Sequence, residues 1–197
     1  MNCWNLTGIV KNFGEKGSKF KKLWINIELV GSDNPSNTVF INFDLDNQPS
    51  TKKYKVGQYV VSTLEKGKNI FINDITLSLI KFSKKLDDGS WTDEEKLGLK
   101  ANIGNITFLD SPSLTINTGF LKGKVVSHTN DRIIVEHSYR NPIDNTWKTR
   151  PIPVLIKSDI NYMFKDKNLV GNQVFVNGEI NSNDKLFYVL AKQMLVL

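Results

Sequence analysis

The chain has 197 residues, 40% apolar and 23% charged, with thirteen Gly, six Pro and a single Cys. That composition excludes collagen-like, mucin-like and wholly disordered chains and fits one large domain or two small ones. Twenty-six Lys and Arg against 20 Asp and Glu leave a net charge of +6, a moderate excess that points to an anionic partner, nucleic acid before membrane. Cys3 alone forms no intrachain disulfide, and with His128 and His137 it makes a poor zinc ligand set. The opening MNCWNLTGIVKNF has no basic region followed by an apolar run, and no stretch approaches the roughly 20 apolar residues of a membrane span. A cytoplasmic protein without membrane association is expected. The abundance of Asn, Lys and Ile fits an AT-rich genome, that of a phage or a low-GC bacterium; for a phage the cytoplasm is that of the bacterial host.

In chain order, a period of two dominates. Strands are expected at 4–12, 19–30 and 37–46; in the second, Leu23, Ile25, Ile27 and Leu29 alternate with Lys22, Trp24, Asn26 and Glu28. A polar segment around 47–55 follows, then strands at 57–64 and 69–80. The stretch 82–113 breaks this rhythm, and Thr92-Asp93-Glu94-Glu95 within it has the form of a helix capping box. Strands resume at 119–128, 131–139 and 147–157, then a short helix near 159–167 that Ser158 would cap, then strands at 172–180 and 185–196.

The order repeats, and so do three blocks. Leu6-Thr7-Gly8-Ile9-Val10 matches Leu121-Lys122-Gly123-Lys124-Val125, Val56-Gly57-Gln58-Tyr59-Val60 matches Val170-Gly171-Asn172-Gln173-Val174, and Phe71 matches Phe187, at offsets of 115, 114 and 116. A duplicated unit is therefore expected: residues 1–81, a connector at 82–113, and residues 114–197. Charge separates the same parts, with +3 on residues 1–80, −1 on 81–113 and +4 on 114–197. Five strands with a short helix or loop between the third and fourth form the pattern of the OB-fold, a small Greek-key barrel. The expected class is all-β with minor helix, two such barrels in tandem, with Gly8 and Gly123 where a first strand bends.

No nucleophile–histidine arrangement, phosphate-cradling loop or cofactor motif is present, so neither an enzyme nor a cofactor is expected. Asp44 and Asp46 end a strand at a turn, where Asp is common, and His128 and His137 read as ordinary strand residues. Binding residues are better represented. Residues 11–22 interleave Lys11, Lys16, Lys19, Lys21 and Lys22 with Phe13 and Phe20, lysines for phosphates and rings for bases. Strand parity turns Trp24 and Phe40 outward on one face, where base stacking, the other half of the chain or a second subunit would cover them. Lys66 and Lys68 would close that site from a loop between strands four and five. In the second half the hairpin carrying Tyr139, Arg140, Trp147, Lys148 and Arg150 either binds nucleic acid or serves as an interaction arm, with Lys122, Lys124 and Arg132 adding charge nearby.

In these features the chain resembles the OB-fold single-stranded DNA-binding proteins, specifically a phage-type protein with two tandem OB domains. The resemblance implies coating of replication or recombination intermediates without sequence preference, and replication or recombination proteins as partners. Many such proteins end in an acidic, partner-recruiting tail, whereas this chain stops in the apolar run Leu186–Leu197, so recruitment by a tail is not expected. Binding to RNA, and a structural or assembly role through self-association, stay open as alternatives.

Overall fold

The computed structural model describes residues 2–16, 22–30, 37–111, 115–140, 145–164, 167–183 and 186–197. The first half contains β1 (Asn2–Lys16), β2 (Lys22–Leu29), β3 (Thr38–Asp44), α1 (Lys52–Thr63), β4 (Asn69–Lys85), β5 (Trp91–Ala101), a 3-10 turn (Ile103–Asn105) and β6 (Ile106–Leu109). The second contains β7 (Asn117–His128), β8 (Arg132–Arg140), β9 (Trp147–Ile156), α2 (Ser158–Phe164), β10 (Gln173–Asn183) and β11 (Leu186–Val196).

The alternation of β2 and β3 does what a period of two requires. Leu23, Ile25, Ile27, Leu29, Val39, Ile41 and Phe43 are all buried, and the residues between them face away from the core. β1 pairs with β2, β2 with β3, β3 in parallel with β5, β5 with β4, and β4 returns to β1. These five strands close a barrel in Greek-key order, with α1 between the third and fourth, as in an OB-fold. In the second half β7, β8, β9, β11 and β10 pair in the same cyclic order, with β9 and β11 again the parallel pair. Gly8 and Gly123 sit where a first strand crosses a second so closely that a Cβ would come within 2.8 Å of the Glu28 carbonyl oxygen and 2.4 Å of that of Glu136.

Three expectations are corrected. Residues 57–64 are not a strand: they belong to α1 and its C-cap, Leu64. The buried positions Gly57, Val60 and Leu64 recur at helical spacing, and the Thr51 side chain accepts from the Tyr54 N–H at the N-terminus. The segment 82–113 is not a connector outside the strands, because it completes β4 and supplies β5 and β6. Barrel closure needs a strand parallel to β3, and Ile41, Asn42 and Phe43 find theirs in Leu99, Lys100 and Ala101. Thr92–Glu95 accordingly starts no helix; these residues pair with 81–84 across the β4–β5 hairpin. Finally, only the first of the three repeated blocks occupies equivalent places. Val56–Val60 is helical whereas 170–174 is a turn entering β10, and Phe71 lies in β4 but Phe187 in β11. The match to 168–172 is instead the turn 64–68. Gly67 N–H donates to Val10 O and Gly171 N–H to Val125 O, each at 2.8 Å.

The halves join through their first strands. Asn2 to Leu6 of β1 pairs antiparallel with Asn117 to Leu121 of β7. At the offset of 115 that superposes Leu6 on Leu121, Asn2 falls on Asn117 and Trp4 on Gly119, so this pairing maps onto itself about the Trp4–Gly119 pair. The two asparagines do the same work. Asn2 exchanges hydrogen bonds with the backbone of Leu77 at 2.8 and 3.2 Å, and Asn117 with that of Ile180 at 2.9 Å in both directions. At the centre Trp4 is fully buried, and a Cβ on Gly119 would come within 2.4 Å of its ring. One large side chain fills the space of two.

Among the described residues the buried polar side chains are Thr7, Asn37 and Arg150, and all three serve this seam. The Thr7 hydroxyl accepts from the Ile116 N–H at 2.7 Å. Asn37 accepts from the Ser182 N–H at 3.1 Å and donates to the Asn181 side chain at 2.9 Å. Arg150 donates to the Leu77 carbonyl at 2.6 Å.

Candidate nucleic-acid interface

β2 and β3 bring Trp24 and Phe40 to the same outer face. Trp24 stands opposite Asn42 and Phe40 opposite Asn26, a diagonal that puts the ring centroids 6.0 Å apart at 50°. Phe40 is 47% exposed and Trp24 half-buried. The Trp24 ring lies against Gly14, its cross-strand neighbour in β1, where a Cβ would come within 2.7 Å of Cζ2. Glycine there gives the indole a flat seat on the barrel wall. Lys22 is exposed two residues before Trp24 on the same strand face. The margins are polar: Lys11 pairs with Glu28 at one end, Lys100 with Asp44 at the other, and the Asn42 amide donates to the Leu99 carbonyl at 3.3 Å.

The other expected residues divide. Phe13 packs against the core rather than into solvent. Lys16 ends β1 opposite Lys22; Lys19, Phe20 and Lys21 lie outside the described residues. Lys66 and Lys68 stand in the turn from α1 to β4, not in a loop between the fourth and fifth strands, because the helix takes the place expected of a strand. There the Lys68 carbonyl accepts from the Val10 N–H at 2.9 Å, four residues along β1 from Gly14, roughly 13 Å.

In the second half, Ile133 and Val135 point inward, and exposed Arg132 occupies the place that Trp24 has in the first half. Pro153 takes that of Phe40, so the aromatic pair is not repeated. Tyr139 stands opposite Lys148 and Arg140 opposite Trp147 at the connected end of β8–β9, and Trp147 is 73% exposed. Arg150 is corrected outright. It is 5% exposed, stacked 3.5 Å over the Tyr139 ring and bonded across the seam, and burial pushes its guanidinium pKa down. Lys122 and Lys124 are exposed on β7, beside β8, where Lys124 stands opposite Glu136, and on the face where Phe120 and Phe175 stack at 5.4 Å.

One residue escaped the sequence reading. Trp91 is 68% exposed and begins β5 opposite Lys85, beside the turn of a long β4–β5 hairpin. The signal was present in Asp88-Gly89, a hairpin dipeptide with Gly89 at φ +83°, between two runs of alternating residues.

No protein-family model matches the chain, and no curated protein sequence matches it. Among solved structures it is similar to the wild-type single-stranded DNA-binding protein from Thermus aquaticus, with a TM-score of 0.67 and 14% identity over 100% of this chain and 93% of that one. A deletion mutant of the same Thermus aquaticus protein gives a TM-score of 0.63 at 13% identity, covering 100% of this chain and 94% of that one. At such identities the likeness is one of fold.

Proposed function

We propose that the chain is a non-catalytic single-stranded DNA-binding protein that coats replication or recombination intermediates with little sequence specificity. In this reading its halves are two tandem OB barrels descended from one duplicated unit, as in phage-type proteins. The observation that carries it is the Trp24–Phe40 pair, solvent-facing on the second and third strands of a closed five-stranded barrel, the surface OB-folds use for oligonucleotides. Each ring stacked on a base contributes roughly 1–3 kcal/mol, and lysines around it neutralise phosphates. The duplication is supported by the common cyclic pairing and by the self-equivalent seam. The fold likeness to a single-stranded DNA-binding protein agrees with the same reading.

Titration of oligo-dT at several salt concentrations tests it. Binding that weakens steeply with salt and is lost in part in Trp24→Ala supports the reading. No binding at about 50 mM salt overturns it, and an equal-length RNA competitor decides between the two nucleic acids. A second reading, an assembly module that associates with itself, is favoured by the stack of exposed Phe120 on half-buried Phe175 with 59%-exposed Leu195 beside it. Salt-insensitive association seen by light scattering without nucleic acid would support that alternative.

A further inference from the structure

The row of residues that starts at Trp24 does not end at β3. Trp24 stands opposite Asn42, Asn42 opposite Lys100 of β5, and Lys100 opposite Thr76 of β4, one line across the outer face of the first barrel. Lys100 lies two strand spacings from Trp24, roughly 10 Å. There the line enters a pocket of about 310 Å³ lined by Asp44, Lys53, Asp74, Thr76, Lys100 and Asn102. Such a volume is at the lower end for ligand sites and has room for one base.

The second half builds its equivalent line from other residues: Arg132, Leu155, Leu190 and Glu179. Leucines stand where the first half has Asn42 and Lys100, and Lys157 follows Ile156 where Asp44 follows Phe43. Both barrels close in the same order, so closure does not require the polar set. The polar pocket thus belongs to the half that also carries the Trp24–Phe40 pair.

The lining mixes signs, and the mixture selects the occupant. Lys100 pairs with Asp44. The Asp74 carboxylate accepts from the Asn73 amide at 2.9 Å and the Cys3 thiol at 3.4 Å, and its backbone, at φ +51°, donates to the Asn5 side chain at 3.2 Å. Each of its oxygens keeps a lone pair for a further donor. Among the described residues no ion pair engages Lys53. The Asn102 oxygen accepts from the Gly104 N–H at 3.0 Å, which leaves the amide NH2 as a donor. Two carboxylates repel a phosphate, whereas a base edge carries donors and acceptors together. Of the four bases, guanine alone sets two neighbouring donors, N1–H and the N2 amino group, against the two oxygens of one carboxylate, with O6 beside them for a lysine. Thymine flanks its one donor with two carbonyls, and adenine and cytosine set a ring-nitrogen lone pair beside the amino group.

We propose that this pocket receives a guanine of the bound strand, with Asp74 accepting from N1–H and the N2 amino group and Lys53 donating to O6. At about 3.4 Å per stacked nucleotide, that guanine lies within about three nucleotides of the base on Trp24. The proposal rests on single-stranded DNA binding and adds one preferred base to a face otherwise indifferent to sequence.

The test uses the full chain, titrated with oligo-dT of about 12 nucleotides and with the same strand carrying one central dG, dC, dA or deoxyinosine. The dG strand is expected to bind roughly 5- to 100-fold more tightly than all-dT. Deoxyinosine lacks the N2 amino group and is expected to keep only a small part of that gain. Lys53→Ala and Asp74→Asn each remove one partner of the base, and in both the ratio of dG to all-dT affinity is expected to fall most of the way to one. Asn adopts positive φ as Asp does, and Lys53 is exposed, so wild-type melting temperatures are expected. A lysine that merely met a phosphate would lower both affinities alike, and a ratio unchanged in either variant overturns the pocket. So do equal wild-type affinities for dG and all-dT strands, an equal gain from dC or dA, or a gain that deoxyinosine keeps in full. Each of these leaves single-stranded DNA binding standing provided Trp24→Ala still weakens binding of all-dT. Absence of wild-type binding to every strand removes that reading, and the pocket with it.

Discussion

Gly14→Ala separates the seat of the Trp24 ring from the ring itself. The new Cβ would stand 2.7 Å from Cζ2 and 2.9 Å from Cε2 of Trp24, whereas carbon atoms in contact sit about 3.5–4.0 Å apart. The indole must therefore lift from β1 by about 1 Å. It is half-buried and has open space on its outer side, so it can move without disturbing the core. Stability should change by no more than about 0.5 kcal/mol, the usual range for a surface substitution. Binding should suffer far more, because the lifted ring alters its 6.0 Å relation to Phe40 and no longer offers the face that a base would stack on. A loss approaching that of Trp24→Ala is expected, up to the roughly 1–3 kcal/mol of one base–aromatic stack, or about 5- to 100-fold in affinity. Tryptophan fluorescence titration with oligo-dT at two salt concentrations measures it, with calorimetric melting as the control. The slope of log affinity against log salt should stay at the wild-type value, since no phosphate-binding lysine is touched. Wild-type affinity in Gly14→Ala beside a tenfold loss in Trp24→Ala would refute the argument that the seat orients the ring.

Two further outcomes follow from the seam and a third from the second half. In Gly119→Ala the added Cβ meets the Cys3 carbonyl and the Trp4 ring, both at 2.4 Å; a backbone atom cannot turn aside, so a loss of roughly 1–3 kcal/mol is expected and a calorimetric melting temperature equal to wild type would contradict it. Arg150→Ala removes the 2.6 Å bond to Leu77 and the stack on Tyr139 but relieves a buried charge, so urea unfolding should show a net cost of about 1–3 kcal/mol while short oligonucleotides bind as to wild type. A selective loss of short-strand affinity would instead return Arg150 to the binding surface. Burial holds the His137 pKa below its ordinary value although Nδ1 lies 3.0 Å from the Lys122 carbonyl. The unfolded chain therefore binds the extra proton first, and stability should fall as pH drops from about 6.5 toward the lower folded-state value. Urea midpoints across that window should show this slope, and His137→Gln should flatten it.

What was legible in the sequence was what strand alternation carries locally. Trp24 and Phe40 could be placed on one outer face because Leu23, Ile25, Val39 and Ile41 fix the inner one within a few residues. The second-half strands and the helix beginning at Ser158 fall close to their expected positions for the same reason. The errors arose where short-range pattern and long-range pairing compete. Val56 to Leu64 contains enough β-branched and aromatic residues to pass for a strand, and only the burial of Gly57, Val60 and Leu64 at spacings of three and four distinguishes it. Thr92–Glu95 satisfies a helix-capping pattern, yet it is held extended by a ladder to 81–84 that no local window contains.

Arg150 marks the boundary of such reading most sharply. Its neighbours Trp147 and Lys148 are exposed, and although alternation puts it on the inner face of β9 with Ile152, Val154 and Ile156, its charge makes it read as surface. It is buried because Leu77, 73 residues earlier, closes over it from the other half. Asn37 is buried against Asn181 and Ser182 at a separation of 144 and 145 residues, and both contacts lie across the seam that the β1–β7 pairing makes. Polar side chains near chain turns look like surface in a sequence, and a seam between halves converts some of them into internal ties by meeting their hydrogen bonds. A binding surface read from charge alone would count Arg150 as a phosphate contact; in the fold it is a tie between the two halves.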